Sequence, residues 1–186
     1  MESGAATGDG SPRRAVVRSA SARDAGACAA IYAPYVIDTA ITFETVAPTP
    51  SQMAERIATA SRDHAWLVLE DDRRVVGYAY AAPFHSRPAY RWACEVSVYL
   101  ELGRRRMGGG RALYEELLRR LAGRGFRIAV AGMTLPNDAS VALHRAMGFE
   151  PVGTYCRIGF KLGAWHDVAW TQRELAGGDG DPAEPR

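Results

Sequence analysis

Between a run of strand-forming residues, Glu95-Val96-Ser97-Val98-Tyr99-Leu100, and a helix with apolar positions at Leu113, Leu117 and Leu121, the chain reads Arg105-Arg106-Met107-Gly108-Gly109-Gly110. Glycines let the backbone approach a ligand closely, and the unpaired N–H groups of the following helix start point at it. With arginines at its mouth, this strand–turn–helix run is a device for holding phosphates. No Lys-Ser or Lys-Thr follows the glycines, so it is not a Walker loop, and the spacing is not the G-x-G-x-x-G of a dinucleotide site. What remains is Arg105-x-x-Gly108-x-Gly110.

The 186 residues suffice for one domain with a proper core. Apolar content of 47% and charged content of 24% are those of an ordinary globular chain. No apolar run approaches the roughly 20 residues that span a bilayer, so no membrane partner is expected. Met1 to Arg14 lacks the apolar stretch of a secretory signal. Cys28, Cys94 and Cys156 are far apart, which argues against a disulfide framework and a zinc site and favours a reducing, cytoplasmic home. The four histidines have no metal-ligand spacing, so no metal is expected. A net charge of +2 is too small to imply nucleic acid, and Arg104 to Arg106 lack the interleaved aromatics of a base-stacking platform.

Residues 1–13 and 177–186 lack periodicity and read as solvated tails around a domain at 14–176. Within it, Ala15 to Arg18 reads as a strand and Ala22 to about Ile37 as a helix that Pro34 kinks or ends. Thr49-Pro50-Ser51-Gln52 carries a cap, a first-turn proline and a reciprocal Gln, opening a helix to about Ser61. Trp66–Leu69 and Val75–Tyr80 flank a charged turn as a hairpin, and Trp92–Leu100 is the next strand. After the glycine turn and its helix come a strand at Arg127–Leu135, a short helix at Ala139–Met147 stopped by Gly148, and strands near Val152–Phe160 and Val168–Leu175.

That order, β-α-α-β-β-β-α-β-α-β-β with the phosphate turn after the fourth strand, resembles the GNAT superfamily of N-acetyltransferases over residues 16–175. Six segments narrow the match: Thr42-Phe43-Glu44-Thr45, Arg87-Pro88-Ala89-Tyr90-Arg91-Trp92, Glu95, Leu135-Pro136-Asn137-Asp138, Leu143-His144, and Gly163-Ala164-Trp165-His166-Asp167-Val168. Together they resemble the phosphinothricin acetyltransferases, which acetylate the α-amine of glutamate-like or methionine-like analogues. The resemblance implies an α/β (α+β) fold with a central mixed, mostly antiparallel sheet flanked by helices on both faces. It implies acetyl-CoA as co-substrate, held by Ser97, Val98, Tyr99, Arg105, Arg106, Met107, Gly108, Gly109, Gly110, Arg111, Asn137 and Ser140. It also implies a small-molecule amine as acceptor and a homodimer.

Acetyl transfer from a thioester to an amine needs a proton acceptor, stabilisation of the oxyanion and departure of the thiolate. Glu95, partly desolvated among Trp92, Val96 and Val98, is the candidate base, directly or through a water; the alternative is a glutamate facing solvent. Cys94 points to the opposite face, which excludes an acyl-cysteine route. A backbone N–H of the strand carrying Val96 and Val98 is the candidate oxyanion donor. His144 stands where many superfamily members carry a tyrosine that protonates the thiolate; it either relays a proton or helps activate the amine. Asn137 either bonds the pantetheine arm or caps the short helix.

By resemblance Arg87 and Tyr90 hold the acceptor's acidic groups, an arginine fork suiting carboxylate or phosphinate; a solvated loop arginine is the alternative. Phe43 and Glu44 line the same pocket. His85 stands where close family members carry lysine, which counts against phosphinothricin itself. Trp165-His166-Asp167 reads as a structural turn or part of a dimer-assisted pocket. Two rivals remain: an acetyltransferase of peptide or protein amines, and a non-catalytic acyl-CoA sensor.

Overall fold

Seven strands form one sheet in the order β1-β2-β3-β4-β5-β7-β6 in the computed structural model, which describes residues 15–104, 108–177 and 180–186. These are β1 (Val16–Ser19), β2 (Ala65–Asp71), β3 (Arg74–Pro83), β4 (Ala93–Leu100), β5 (Ile128–Thr134), β6 (Glu150–Lys161) and β7 (Ala164–Glu174). Only β4 and β5 run parallel. Strand alternation sorts side chains into two cores. Leu67, Leu69, Ala79, Cys94 and Val96 pack on α3 (Gly109–Gly123) through its fully buried Leu113, Leu117 and Leu121. Trp66, Val68 and Tyr78 face α1 (Ala25–Asp38) and α2 (Pro50–Asp63). A fourth helix, α4 (Asp138–Ala146), follows β5. The expected order and type of the elements hold, with ends displaced by a few residues.

Local chemistry accounts for the ends. Thr49 Oγ1 accepts the Gln52 N–H at 3.2 Å while Gln52 Oε1 accepts the Thr49 N–H at 2.9 Å, the reciprocal cap expected for α2. At the other end of α2, the Arg124 guanidinium donates to the carbonyls of Ser61, Arg62 and His64, oxygens that the helix leaves without partners. Pro34 does not end α1, which runs on to Asp38. The carbonyl deprived of its partner belongs to Ala30, on the exposed side of the helix and so open to solvent, which lowers the cost of the lost bond.

Two expectations are corrected. Trp165, His166 and Asp167 lie within β7; the turn is one residue pair earlier, at Leu162 (φ 50) and Gly163 (φ 76). Residues 180–186 were expected to be solvated but lie against the domain. Glu184 takes three hydrogen bonds from Arg91 at 2.8–3.0 Å, the Trp92 indole donates to Ala183 O at 2.9 Å, and Arg186 N donates to Arg124 O at 2.8 Å. Composition predicts solvation; Arg91, Trp92 and Arg124 supply partners that composition does not reveal.

Candidate active site

The parallel ladder of β4 and β5 pairs Ala93 with Ile128, Cys94 with Ala129 and Glu95 with Val130, and stops there. β4 continues to Leu100, still paired with β3, and β5 continues to Thr134 beside β7. The two strands splay, and alternate backbone groups of residues 96–100 open on the wedge between them. At its mouth a cleft of about 700 Å³ is lined by Val98, Tyr99, Leu100, Gly108, Gly109, Gly110, Arg111, Asn137, Ser140 and Leu143. Most of the residues expected around a cofactor meet here. Arg105, Arg106 and Met107 lie outside the described residues. The Ser97 side chain turns to the other face of the sheet, where it bonds Tyr80.

The glycines serve packing as well as ligand approach. Gly108, at φ 77, is the N-cap of α3 and offers no side chain to its N–H groups, which remain directed at the cleft. A Cβ on Gly109 would lie 2.6 Å from Leu69 Cδ2, and one on Gly110 3.3 Å from Leu143 Cδ2. The helix start therefore sits close against β2 and α4 as well as the cleft. Such a wedge beside an N-terminal cradle fits a long, phosphate-bearing thioester: the phosphates at the helix start, the acyl arm along the open strand edge.

Glu95 is half-buried on the α1/α2 face, because Cys94 and Val96 point into the α3 core. Val96 and Val98 are therefore not what desolvates it; on its own face the neighbours along β4 are Ala93 and Ser97, and Ala82 pairs with it from β3. Burial raises its pKa above the ordinary carboxylate range, opposed by the nearby His85. Cys94 is fully buried and its thiol is pushed up to about 12, which leaves it inert.

His144 is 3% exposed, and both ring nitrogens are engaged. Nδ1 lies 2.8 Å from the Ser140 carbonyl, which can only accept, so Nδ1 carries the proton. Nε2 then accepts the O–H of the buried Tyr114 at 3.0 Å. Burial lowers the histidine's pKa. Direct contact with a reactant does not fit this geometry: His144 does not line the cleft, and its partner Tyr114, on α3, is itself only 1% exposed. Asn137 is the N-cap of α4, its side chain accepting the Ser140 N–H at 3.2 Å, while also lining the cleft. Of the two readings for Asn137, the cap is realised.

The segment between β3 and β4 carries Phe84, His85, Arg87 and Tyr90. Pro88–Tyr90 forms a 3-10 turn with the exposed Arg87 as its N-cap. The Tyr90 ring lies edge-on to Phe84 at 5.7 Å and to His85 at 5.1 Å, and Phe84 meets Trp170 of β7 at 6.1 Å. Phe43 and Glu44 lie in the loop joining α1 to α2. Glu44 is bound by Arg56 at 2.7 and 2.9 Å and by the Tyr32 hydroxyl at 3.0 Å, so its carboxylate fastens the loop. The sequence reading missed Tyr80, Tyr114 and Trp170. Tyr80 had a weak signal in the Tyr78-x-Tyr80 alternation; the other two had none.

Residues 17–170 match the family model of the acetyltransferase (GNAT) domain. A phosphinothricin N-acetyltransferase of Streptomyces viridochromogenes is 38% identical over 170 residues, 91% of each chain. An L-methionine sulfoximine/L-methionine sulfone acetyltransferase of Pseudomonas paraeruginosa is 35% identical over 164 residues, 84% of this chain and 95% of its own. The crystal structure of a GNAT superfamily phosphinothricin acetyltransferase from Sinorhizobium meliloti in complex with AcCoA matches with a TM-score of 0.87 and 39% identity, over 91% of this chain and 94% of that one. Fold and wedge thus define an acetyl-CoA-dependent N-acetyltransferase. Within that class, the chain belongs to the GNAT acetyltransferase family.

Proposed function

We propose that the protein transfers the acetyl group of acetyl-CoA to the α-amine of a small amino-acid analogue, of the phosphinothricin, methionine sulfoximine or methionine sulfone type. The carrying observation is Glu95, a carboxylate of raised pKa beside the point where β4 and β5 part. There it takes the acceptor's ammonium proton, directly or through a water, and frees the amine to attack the thioester in a ternary complex. An open backbone N–H of residues 96–100 faces the oxygen that gains charge. The Gly108–Gly110 helix start holds the phosphates and Asn137 fixes the wall of the cleft. His144 acts at one remove, its Nε2 fixing the Tyr114 hydroxyl. Arg87, Tyr90 and His85 lie on the Glu95 side of the entrance, where a guanidinium fork meets an acidic group of the acceptor. Phe43 forms a further wall.

A homodimer is the proposed assembly. Val152, Tyr155, Ile158, Phe160, Leu162 and Trp165 on the β6–β7 hairpin are each 54–61% exposed, and β6 is an edge strand. Such an edge is an aggregation hazard unless covered, and a second copy of the chain covers it. Cytoplasmic residence is proposed from the cysteines, which are free among the described residues; no helix described is long and apolar enough to cross a membrane.

The test is thiol release from acetyl-CoA across amino acids, their sulfone, sulfoximine and phosphinate analogues, and short peptides. Turnover with an amino-acid analogue and not with peptides is expected. Turnover with peptides alone assigns the protein to peptide or protein amines. Binding of acetyl-CoA without turnover of any amine makes it a sensor.

A further inference from the structure

Three successive residues of the α1–α2 loop are fastened to three different elements. Thr42 presents its carbonyl to Lys161 Nζ of β6 at 2.7 Å, across 119 residues of chain. Its hydroxyl donates to Tyr32 of α1 at 2.6 Å, because the Tyr32 proton is committed to Glu44, which can only accept. Glu44 is held by Arg56 of α2, and its N–H donates to Thr42 Oγ1 at 3.3 Å. Between them the Phe43 ring lies flat over Gly159 of β6, where a Cβ would come within 2.2–2.8 Å of three ring atoms. His166 of β7 flanks the ring at 6.3 Å and donates from Nε2 to the Lys161 carbonyl at 3.0 Å.

This arrangement has costs. Lys161 is only 6% exposed, and it donates to a neutral carbonyl, that of Thr42, while Glu44 is already engaged by Arg56. Burial lowers the ammonium's pKa and the Glu44 field opposes this. Gly159 weakens the strand that carries it. Those costs do not serve to bury the ring, since Phe43 remains 39% exposed. An aromatic ring backed by a glycine, on a loop that a lysine fastens through the preceding carbonyl, yet left open, is a wall offered to a ligand.

We propose that Lys161 and Gly159 are positioning residues that hold Phe43 as the apolar wall of the acceptor site, and so set its affinity for the acceptor. This rests on the acceptor reading above. The glycine supplies the clearance and the lysine sets the height of the loop. Neither touches the reactants. Because the cofactor cleft is lined by other residues, the effect is confined to the acceptor.

The experiment measures kcat and both KM values for Lys161→Met, Lys161→Arg, Gly159→Ala and their Met/Ala double variant, with the best analogue from the thiol-release screen. Lys161→Met and Gly159→Ala should each raise the acceptor KM roughly tenfold, the scale of one charge-assisted hydrogen bond. The KM for acetyl-CoA should stay within about twofold. Lys161→Arg, which keeps the charge and a donor, should recover most of the loss, and the double variant should be little worse than the worse single one. If Lys161→Met does not fold, Gly159→Ala carries the same test from the other side of the ring. A lowered Tm with unchanged acceptor KM, or equal rises in both KM values, overturns the positioning role alone. A wild type inactive on every amino-acid analogue overturns the acceptor reading and this role with it.

Discussion

At the scale of residues, two carboxylates shift in opposite directions, Glu95 upward by burial and Asp24 downward through its hydrogen bonds to Arg18, which outweigh burial. Among the described residues Glu95 has no cation bonded to it, and desolvation raises its pKa. As a base it works only when ionised, so kcat/KM should climb as pH rises through that elevated value. Glu95→Gln should lose this limb and about 10²–10⁴-fold in kcat/KM at neutral pH, with acetyl-CoA affinity unchanged. Near wild-type turnover would hand the proton to another group. Asp24 is 6% exposed but accepts two hydrogen bonds from Arg18, at 2.8 and 2.9 Å, and its pKa falls to about 2 from 3.8. A depressed carboxylate stabilises the fold above its unfolded value and loses that contribution as pH falls through the folded one. Arg18 is partly exposed, so roughly 1–2 kcal/mol is at stake. Urea midpoints of Asp24→Asn should be lower at pH 7 and should converge on the wild type between about pH 4 and 2. A gap independent of pH would mean that packing, not charge, is lost.

At the scale of elements, the start of α3 joins backbone geometry to ligand binding. Gly108 needs φ 77, which costs a residue with a side chain about 1–2 kcal/mol. Gly110 has 3.3 Å of clearance to Leu143. Gly110→Val should push α4 away and narrow the cleft, so acetyl-CoA should raise the Tm of the wild type and barely that of the variant. Equal shifts would remove the phosphate role from this helix start. This element was the most legible in the chain, because a glycine run between a β-rich stretch and a 3.6-period helix has few local solutions. His144 was the least legible. Its sequence position leaves a proton relay and activation of the amine both open, and whether a helical histidine faces a ligand or the interior depends on neighbours such as Tyr114, from a distant helix.

At the scale of the whole molecule, the β6–β7 hairpin carries its apolar residues outward. Ile158→Lys, on the exposed edge, should shift the protein from dimer to monomer in sedimentation and leave the monomer's fold largely intact. A wild type that sediments as a monomer removes the dimer. Residues 183 and 184 bond to Arg91 and Trp92, next to the turn bearing Tyr90. Bonds of this exposed kind are individually weak, so their effect is collective.

The sequence by itself determined the order of strands and helices, the capped start of α2, the glycine turn that opens α3 and the place of Glu95 on β4. These depend on local periodicity, on glycine and proline stereochemistry, and on alternation along one strand, all of which a chain carries without its partners. Only the tertiary structure decided that β4 and β5 splay after a three-residue ladder, that Glu44 fastens a loop, that His144 is buried against Tyr114, and that Lys161 reaches the Thr42 carbonyl. Each of these is a contact between residues far apart in sequence. Where β7 inserts between β5 and β6, and which loop a buried lysine reaches, follow from how the packed layers meet, and no local pattern encodes that meeting.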